Sequence, residues 1–159
     1  MSHVNQLAAV LDQLELPYGR DGNAFSLQLP GERKQSTQAN LIVEDHALKI
    51  VAFVARCPEE NHQQVWEELL RRNGRLFTVA FAIDNNADIY LIGRAPLIDI
   101  TSDEIDRILG VVLETADGMF NHILELGFAS SIRDEWRWRL DRGEPTGNLA
   151  AFTHLKPRD

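Results

Sequence analysis

The chain has 159 residues and a mass of 18.0 kDa, with 44% apolar and 25% charged residues and no low-complexity run. That is the composition of an ordinary globular domain able to hide roughly 70% of its unfolded surface, and it excludes disordered and fibrous classes. The formal net charge is −8; residues 1–126 carry 10 Lys/Arg against 19 Asp/Glu and residues 127–159 carry 6 against 5, so neither part has the basic excess that displaces counterions from phosphates, and nucleic acid is not an expected partner.

Val4, Leu7, Val10, Leu11 and Leu14 recur at helical spacing as far as Pro17, which predicts a first amphipathic helix. The segment has no basic start, and Asp12 and Glu15 interrupt its apolar positions, so neither a signal peptide nor a membrane span is expected. PYGRDGN is rich in turn formers. Ala24–Leu29 (AFSLQL) then alternates and stops at Pro30-Gly31, the signature of a strand. Gln38–Glu44 and Leu48–Ala55 follow as two further strands, and the three residues between them suffice only for an antiparallel hairpin.

In PEENHQQVWEELLRRNG the period changes. Pro58 and the two glutamates suit a first helical turn, Val65, Trp66, Leu69 and Leu70 form one stripe, and Arg71, Arg72 and Gly74 suit its end. A second hairpin is expected from Phe77–Ile83 and Ile89–Arg94 around the Asp84–Asp88 turn; Phe77, Val79, Phe81 and Ile83 share one face, and Thr78, Ala80 and Ala82 leave the other nearly flat. Thr101 and Glu104 are spaced as a capping box for the longest helix, whose apolar stripe runs from Ile105 to Ile123 and must cover the sheet. Gly110 and Gly118 weaken it locally and mark close approaches or a kink.

The segment SSIRDEWRWRLDRGEP reads as a strand with period two and as a helix with period 3.6. The helix accounts for more residues: Ser131 as N-cap, Ile132, Trp136 and Leu140 as a stripe, Glu135 and Arg139 four apart, and Gly143 with Pro145 as the stop. Trp138 then faces away from Trp136, so no aromatic stacking platform for nucleic acid arises. LAAF, Leu149–Phe152, is expected to form a short docking turn.

Chemical motifs are few. Asp84-Asn85-Asn86-Ala87-Asp88 has the first spacings of a calcium loop, but Ile89 stands where glycine is needed and Ala95 where the bidentate glutamate belongs, so a hairpin turn is expected. The five histidines show no metal-ligand spacing, and no metal or cofactor is implied. Neither a nucleophile elbow nor a glycine-rich phosphate loop occurs. Cys57, a lone cysteine, precedes Pro58 with no basic neighbour but Arg56, and is expected to be an inert thiol in a reducing compartment.

The order helix, three strands, helix, two strands, long helix, carried most clearly by VWEELLRRNGRLFTVAFAIDNNADIYLIGRAPLIDITSDEIDRILGVVLETADGMF (65–120), resembles the YbjN family of bacterial sensory transduction regulators. The likeness lies in a helix ending in Asn-Gly, a strand, an Asp-rich turn, a second strand, an apolar-Pro-Leu exit and a capped helix with Ala-Asp near its end. It implies an α+β domain of type III secretion chaperone-like fold, often dimeric, with no catalytic residues to carry over. The part beyond residue 129 resembles an extension of actinobacterial members.

Together these observations predict an α+β protein with a five-stranded antiparallel sheet in the order α-β-β-β-α-β-β-α: a YbjN-like domain over 1–129, and a C-terminal helical extension over 130–159 that packs on the domain or on a partner subunit. The expected function is a non-enzymatic, cytoplasmic, homodimeric module that binds a protein segment. Trp136, Arg137, Trp138, Arg139 and Leu140 are the candidate partner-binding residues, since tryptophan flanked by arginine is a common interface composition. The alternative is a small-molecule sensor or enzyme using an anion-binding cleft at Arg75 and Arg94.

Overall fold

A computed structural model describes residues 1–158. In chain order the elements are α1 (His3–Gln13), β1 (Gly19–Asp21), β2 (Ala24–Pro30), β3 (Ser36–Val43), β4 (Leu48–Ala55), α2 (His62–Asn73), β5 (Val79–Ile83), β6 (Ile89–Ala95), α3 (Ser102–Gly127) and α4 (Ala129–Arg142), with short 3-10 segments at Leu97–Asp99 and Gly147–Leu155. All strands join one antiparallel sheet of order β1-β2-β3-β4-β6-β5.

The sheet therefore has six strands rather than the expected five. The additional one, Gly19–Asp21, is three exposed residues with no alternation to betray it. It is held by pairing Arg20 with Phe25 across a turn at Gly22-Asn23, where Gly22 takes a left-handed φ of 59°.

One sheet face is apolar because the alternation is strict. Phe25, Leu27, Leu41, Leu48, Ile50, Ile89 and Leu91 are all buried on it, and α3 lies across β2, β3 and β4 with Ile105, Ile108, Val112, Ala116 and Ile123 buried beneath. Burial of such side chains contributes roughly 1.5–3 kcal/mol for each large one, which fixes this packing. The opposite face keeps Ile42, Val51, Phe53, Tyr90 and Ile92 partly exposed.

Several local expectations are corrected. Thr101 caps α3 by accepting from the Glu104 amide at 3.3 Å, but the Glu104 carboxylate turns to Arg107 instead of reaching back, so only half of the capping box forms. Around Gly110 and Gly118 no atom beyond the neighbouring backbone of α3 itself comes within 4 Å of where a Cβ would sit, and α3 passes both unbroken. Phe77 lies outside β5 and is 80% exposed, as Thr78 takes a left-handed φ of 71° and breaks the alternation there. The Thr78 carbonyl would stand 2.1 Å from a Cβ at position 93, which is why a glycine faces it from β6.

The segment Pro58–Asn61 is also not the first turn of α2. Asn61, at φ 54°, precedes the helix, and the segment instead holds the α3–α4 junction. The Glu59 and Glu60 amides donate to the Gly127 carbonyl, and the Asn61 side chain donates to the Leu126 carbonyl at 2.8 Å. The Glu60 carboxylate accepts from the Ser130 N–H and hydroxyl at 2.6 and 2.8 Å, while the Ser131 hydroxyl donates to Glu59 at 2.8 Å. Two orphan ends, the last turn of α3 and the first of α4, are thus satisfied by one loop. Ser131 is consequently inside α4 rather than its N-cap.

Candidate protein-binding surfaces

The C-terminal helix divides its candidates between interior and surface. Trp136 is buried, donating its indole N–H to the Phe152 carbonyl at 3.1 Å, and it joins Phe128, Ile132, Leu149, Phe152 and Leu155 in a second small core. Trp138 and Leu140 are 46% and 45% exposed. The Arg139 and Arg142 guanidiniums lie over the Trp138 ring at 5.8 and 5.0 Å. Arg139 also donates to Glu135 at 2.6 Å and to the Pro145 carbonyl at 2.9 Å, and Arg137 pairs with Asp134 at 3.3 Å. Three of the five candidates, Arg137, Trp138 and Leu140, therefore present an open surface, while Trp136 is spent on attaching the 3-10 segment to α4.

The two arginines of the anion alternative have different surroundings. Arg75 lines a depression of about 180 Å³ with Glu68, Arg71, Arg72 and Met119. Arg94 is not among its walls and lies 3.7 Å from Glu44.

A surface without an earlier counterpart is the edge formed by α2 and β5. Leu70 is 70% exposed and Ile83 48% exposed, and with Trp66, Leu69, Phe81 and Ala82 they line a depression of about 230 Å³. β5 ends the sheet, yet its central peptide is occupied: the Asn73 side-chain amide donates to the Phe81 carbonyl at 3.1 Å and accepts from the Phe81 N–H at 2.7 Å. A side chain thus takes the place of a neighbouring strand, which blunts the edge for strand addition and leaves its side chains as the contact surface. The Asn-Gly end of α2 was visible in the sequence; its contact with β5 was not.

Asp117, visible in the sequence within the Ala-Asp pair and as a helix-face neighbour of Glu114 with the look of solvated charge, is buried instead. Its carboxylate accepts from the Arg33 and Lys34 amides, each at 2.8 Å, with the Arg33 guanidinium 3.7 Å away. It thereby ties the β2–β3 loop to α3. Burial would raise its pKa, but the amides of Lys34, Arg33 and Glu32 and the Arg33 charge outweigh that and hold it below the usual carboxylate range. The hairpin at Asp84–Asp88 forms as expected, since Asp84 accepts from the Asn86 and Asp88 amides at 2.9 and 3.0 Å.

The fold, a one-sided antiparallel sheet crossed by a long helix, is that of type III secretion chaperones. The Yersinia pestis chaperone SycH, solved in complex with a stable fragment of YscM2, superposes with a TM-score of 0.53 at 14% identity over 72% of this chain and 97% of that one. A chain of the Pseudomonas aeruginosa ExoU–SpcU complex gives 0.54 at 19% identity, covering 70% and 93%, and one of the ExsC–ExsE complex gives 0.52 at 18%, covering 72% and 88%. Within this fold the chain belongs to the YbjN family, described as "Putative bacterial sensory transduction regulator", whose profile matches residues 3–125. Uncharacterized proteins of Mycobacterium bovis and Mycobacterium tuberculosis are 52% identical over 84% of this chain and 73% of their own length, and one of Mycobacterium leprae is 53% identical over 81% and 70%.

Proposed function

We propose that this protein is a non-enzymatic, cytoplasmic interaction module, a chaperone-like or regulatory adaptor that works as a homodimer and binds a protein segment. The fold supports a protein-binding role, because each of the three structural neighbours is part of a protein–protein complex. No described helix is long and apolar enough to cross a membrane.

The observation that carries the dimer is the apolar α2–β5 edge, with Leu70 and Ile83 open to solvent. Its occupant in this proposal is a second copy. α2 carries Glu67 and Glu68 one turn ahead of Arg71 and Arg72, so two such helices running antiparallel about a two-fold axis place acid against base at both ends of the patch. Of the apolar stripe Ile132, Trp136 and Leu140, the first two lie in the chain's own second core; polar replacements there would dismantle the extension first. The extension, residues 130–159, is proposed to be a distinct attachment on the family domain, with Arg137, Trp138 and Leu140 as its client-facing residues.

Light scattering on eluting protein tests the dimer. The expected mass is twice 18.0 kDa, falling to the monomer in a Leu70→Glu/Ile83→Glu variant whose melting remains cooperative. A wild-type chain that elutes as a monomer at high micromolar concentration overturns it.

A further inference from the structure

Between the two hydrophobic cores runs a groove of about 480 Å³. Phe53, Phe120, Leu124, Phe128, Ile132 and Phe152 are among its lining residues. The volume falls within the range of small-molecule sites, which are predominantly apolar with a few placed polar groups.

Three charged residues reach this groove, and two are already matched. Arg56 pairs with Glu59 at 2.8 Å and Glu135 accepts from Arg139 at 2.6 Å. The third is Lys34. It is half-buried, its ammonium 5.2 and 5.7 Å from the ring centres of Phe53 and Phe120, and it donates to the Phe53 carbonyl at 2.8 Å. No carboxylate among the described residues pairs with it. An ammonium has three donors, so one is used and two remain. Burial pushes this ammonium below its ordinary pKa, as expected of a cation drawn from water without a counter-charge.

From this arrangement we propose that the groove binds an amphipathic monoanion, a carboxylate on an unbranched hydrocarbon chain, with the carboxylate at Lys34 and the chain along the phenylalanines. The carboxylate answers the one unmatched charge, and the chain answers the apolar walls. A peptide fits less well. The β3–β4 ladder ends at Ala39 and Ala52, but beyond it the Phe53 carbonyl accepts from Lys34, β6 pairs with Phe53 and Ala55 on the other side, and the other walls are helical; an extended peptide would find few free backbone groups to meet its own amides. A helical peptide, at 10–12 Å in diameter, would fill the volume with about one turn.

The test titrates the full chain with the straight-chain carboxylates from hexanoate to dodecanoate and with decanol, following side-chain methyl resonances. Saturable 1:1 binding is expected, with shifts at the Leu124, Ile132 and Leu149 methyls. Affinity rises about fourfold per added methylene until the groove is full. Decanoate binds more tightly than decanol. Lys34→Met lowers decanoate affinity about tenfold or more without altering decanol, whereas Lys34→Arg keeps the carboxylate preference. Should Lys34→Met not fold, Leu149→Trp, which narrows the groove and leaves the charge, shortens the chain length at which affinity levels off. Absence of saturable binding below the micellar concentration, shifts outside the groove, equal affinity for decanoate and decanol, or tighter binding of an apolar helical peptide independent of Lys34 would each overturn the proposal.

Discussion

A carboxylate left only 10% exposed at position 117 is tolerated because two backbone amides and one guanidinium converge on it. The same group ties the loop of Gly31, Glu32, Arg33, Lys34 and Gln35 to α3. With its folded pKa below the unfolded value, Asp117 contributes stability that is fully present above the unfolded value and is lost as pH falls through the folded one. Asp117→Asn is expected to cost about 1.5–3 kcal/mol at neutral pH, in the range of hydrogen bonds to charged groups. Its urea midpoint should also vary less with pH on the acid side than that of the wild type. Equal acid sensitivity of the two proteins in urea titrations would remove Asp117 from that role. None of this was legible beforehand, because the partners lie 83 and 84 residues away in the chain and an acidic residue on a helix looks the same whether it is solvated or gripping a loop.

Elements were legible where burial imposes a period. β2, β4 and the long stripe of α3 were recognisable because one face of each meets a single core, so every second residue, or every third and fourth, had to be apolar. β1 was silent because it is an edge strand of three exposed residues, and the start of α2 was misplaced because Pro58, Glu59 and Glu60 have the composition of a first turn while serving the ends of two other helices. The candidate surfaces divide likewise. Trp138 was readable as a tryptophan off the stripe, but the α2–β5 edge depends on how two distant elements meet. Gly110 and Gly118 carry an element-scale prediction. Both sit in a continuous helix with open space where a Cβ would go, so Gly110→Ala and Gly118→Ala should each stabilise the protein by about 1 kcal/mol, read as a raised melting temperature. A lowered one would reveal that something outside the monomer packs against that face.

At the scale of the molecule, two cores of unequal size meet at one junction. Glu59 and Glu60 are held below the usual carboxylate range, Glu59 chiefly by the Arg56 guanidinium and Glu60 chiefly by the Ser130 amide, so the seam is cemented by ionised acids. Double replacement of Glu59 and Glu60 by glutamine is expected to loosen α4 and the following 3-10 segment before the sheet. In hydrogen exchange this shows as lost protection over residues 129–155, with β3 and β4 unaffected. Uniform loss across both regions would mean that the two cores melt as one.

The family profile stops at residue 125, two positions short of the carbonyl at Gly127 that receives the Glu59 and Glu60 amides. The span shared with the family and the span that satisfies its own polar groups are therefore not the same length. A chain ended at the profile boundary would leave two amides, two carboxylates and the ring of Pro58 without the neighbours they have in the whole protein. Anyone dissecting this molecule by deletion would be measuring a damaged seam as well as a missing tail.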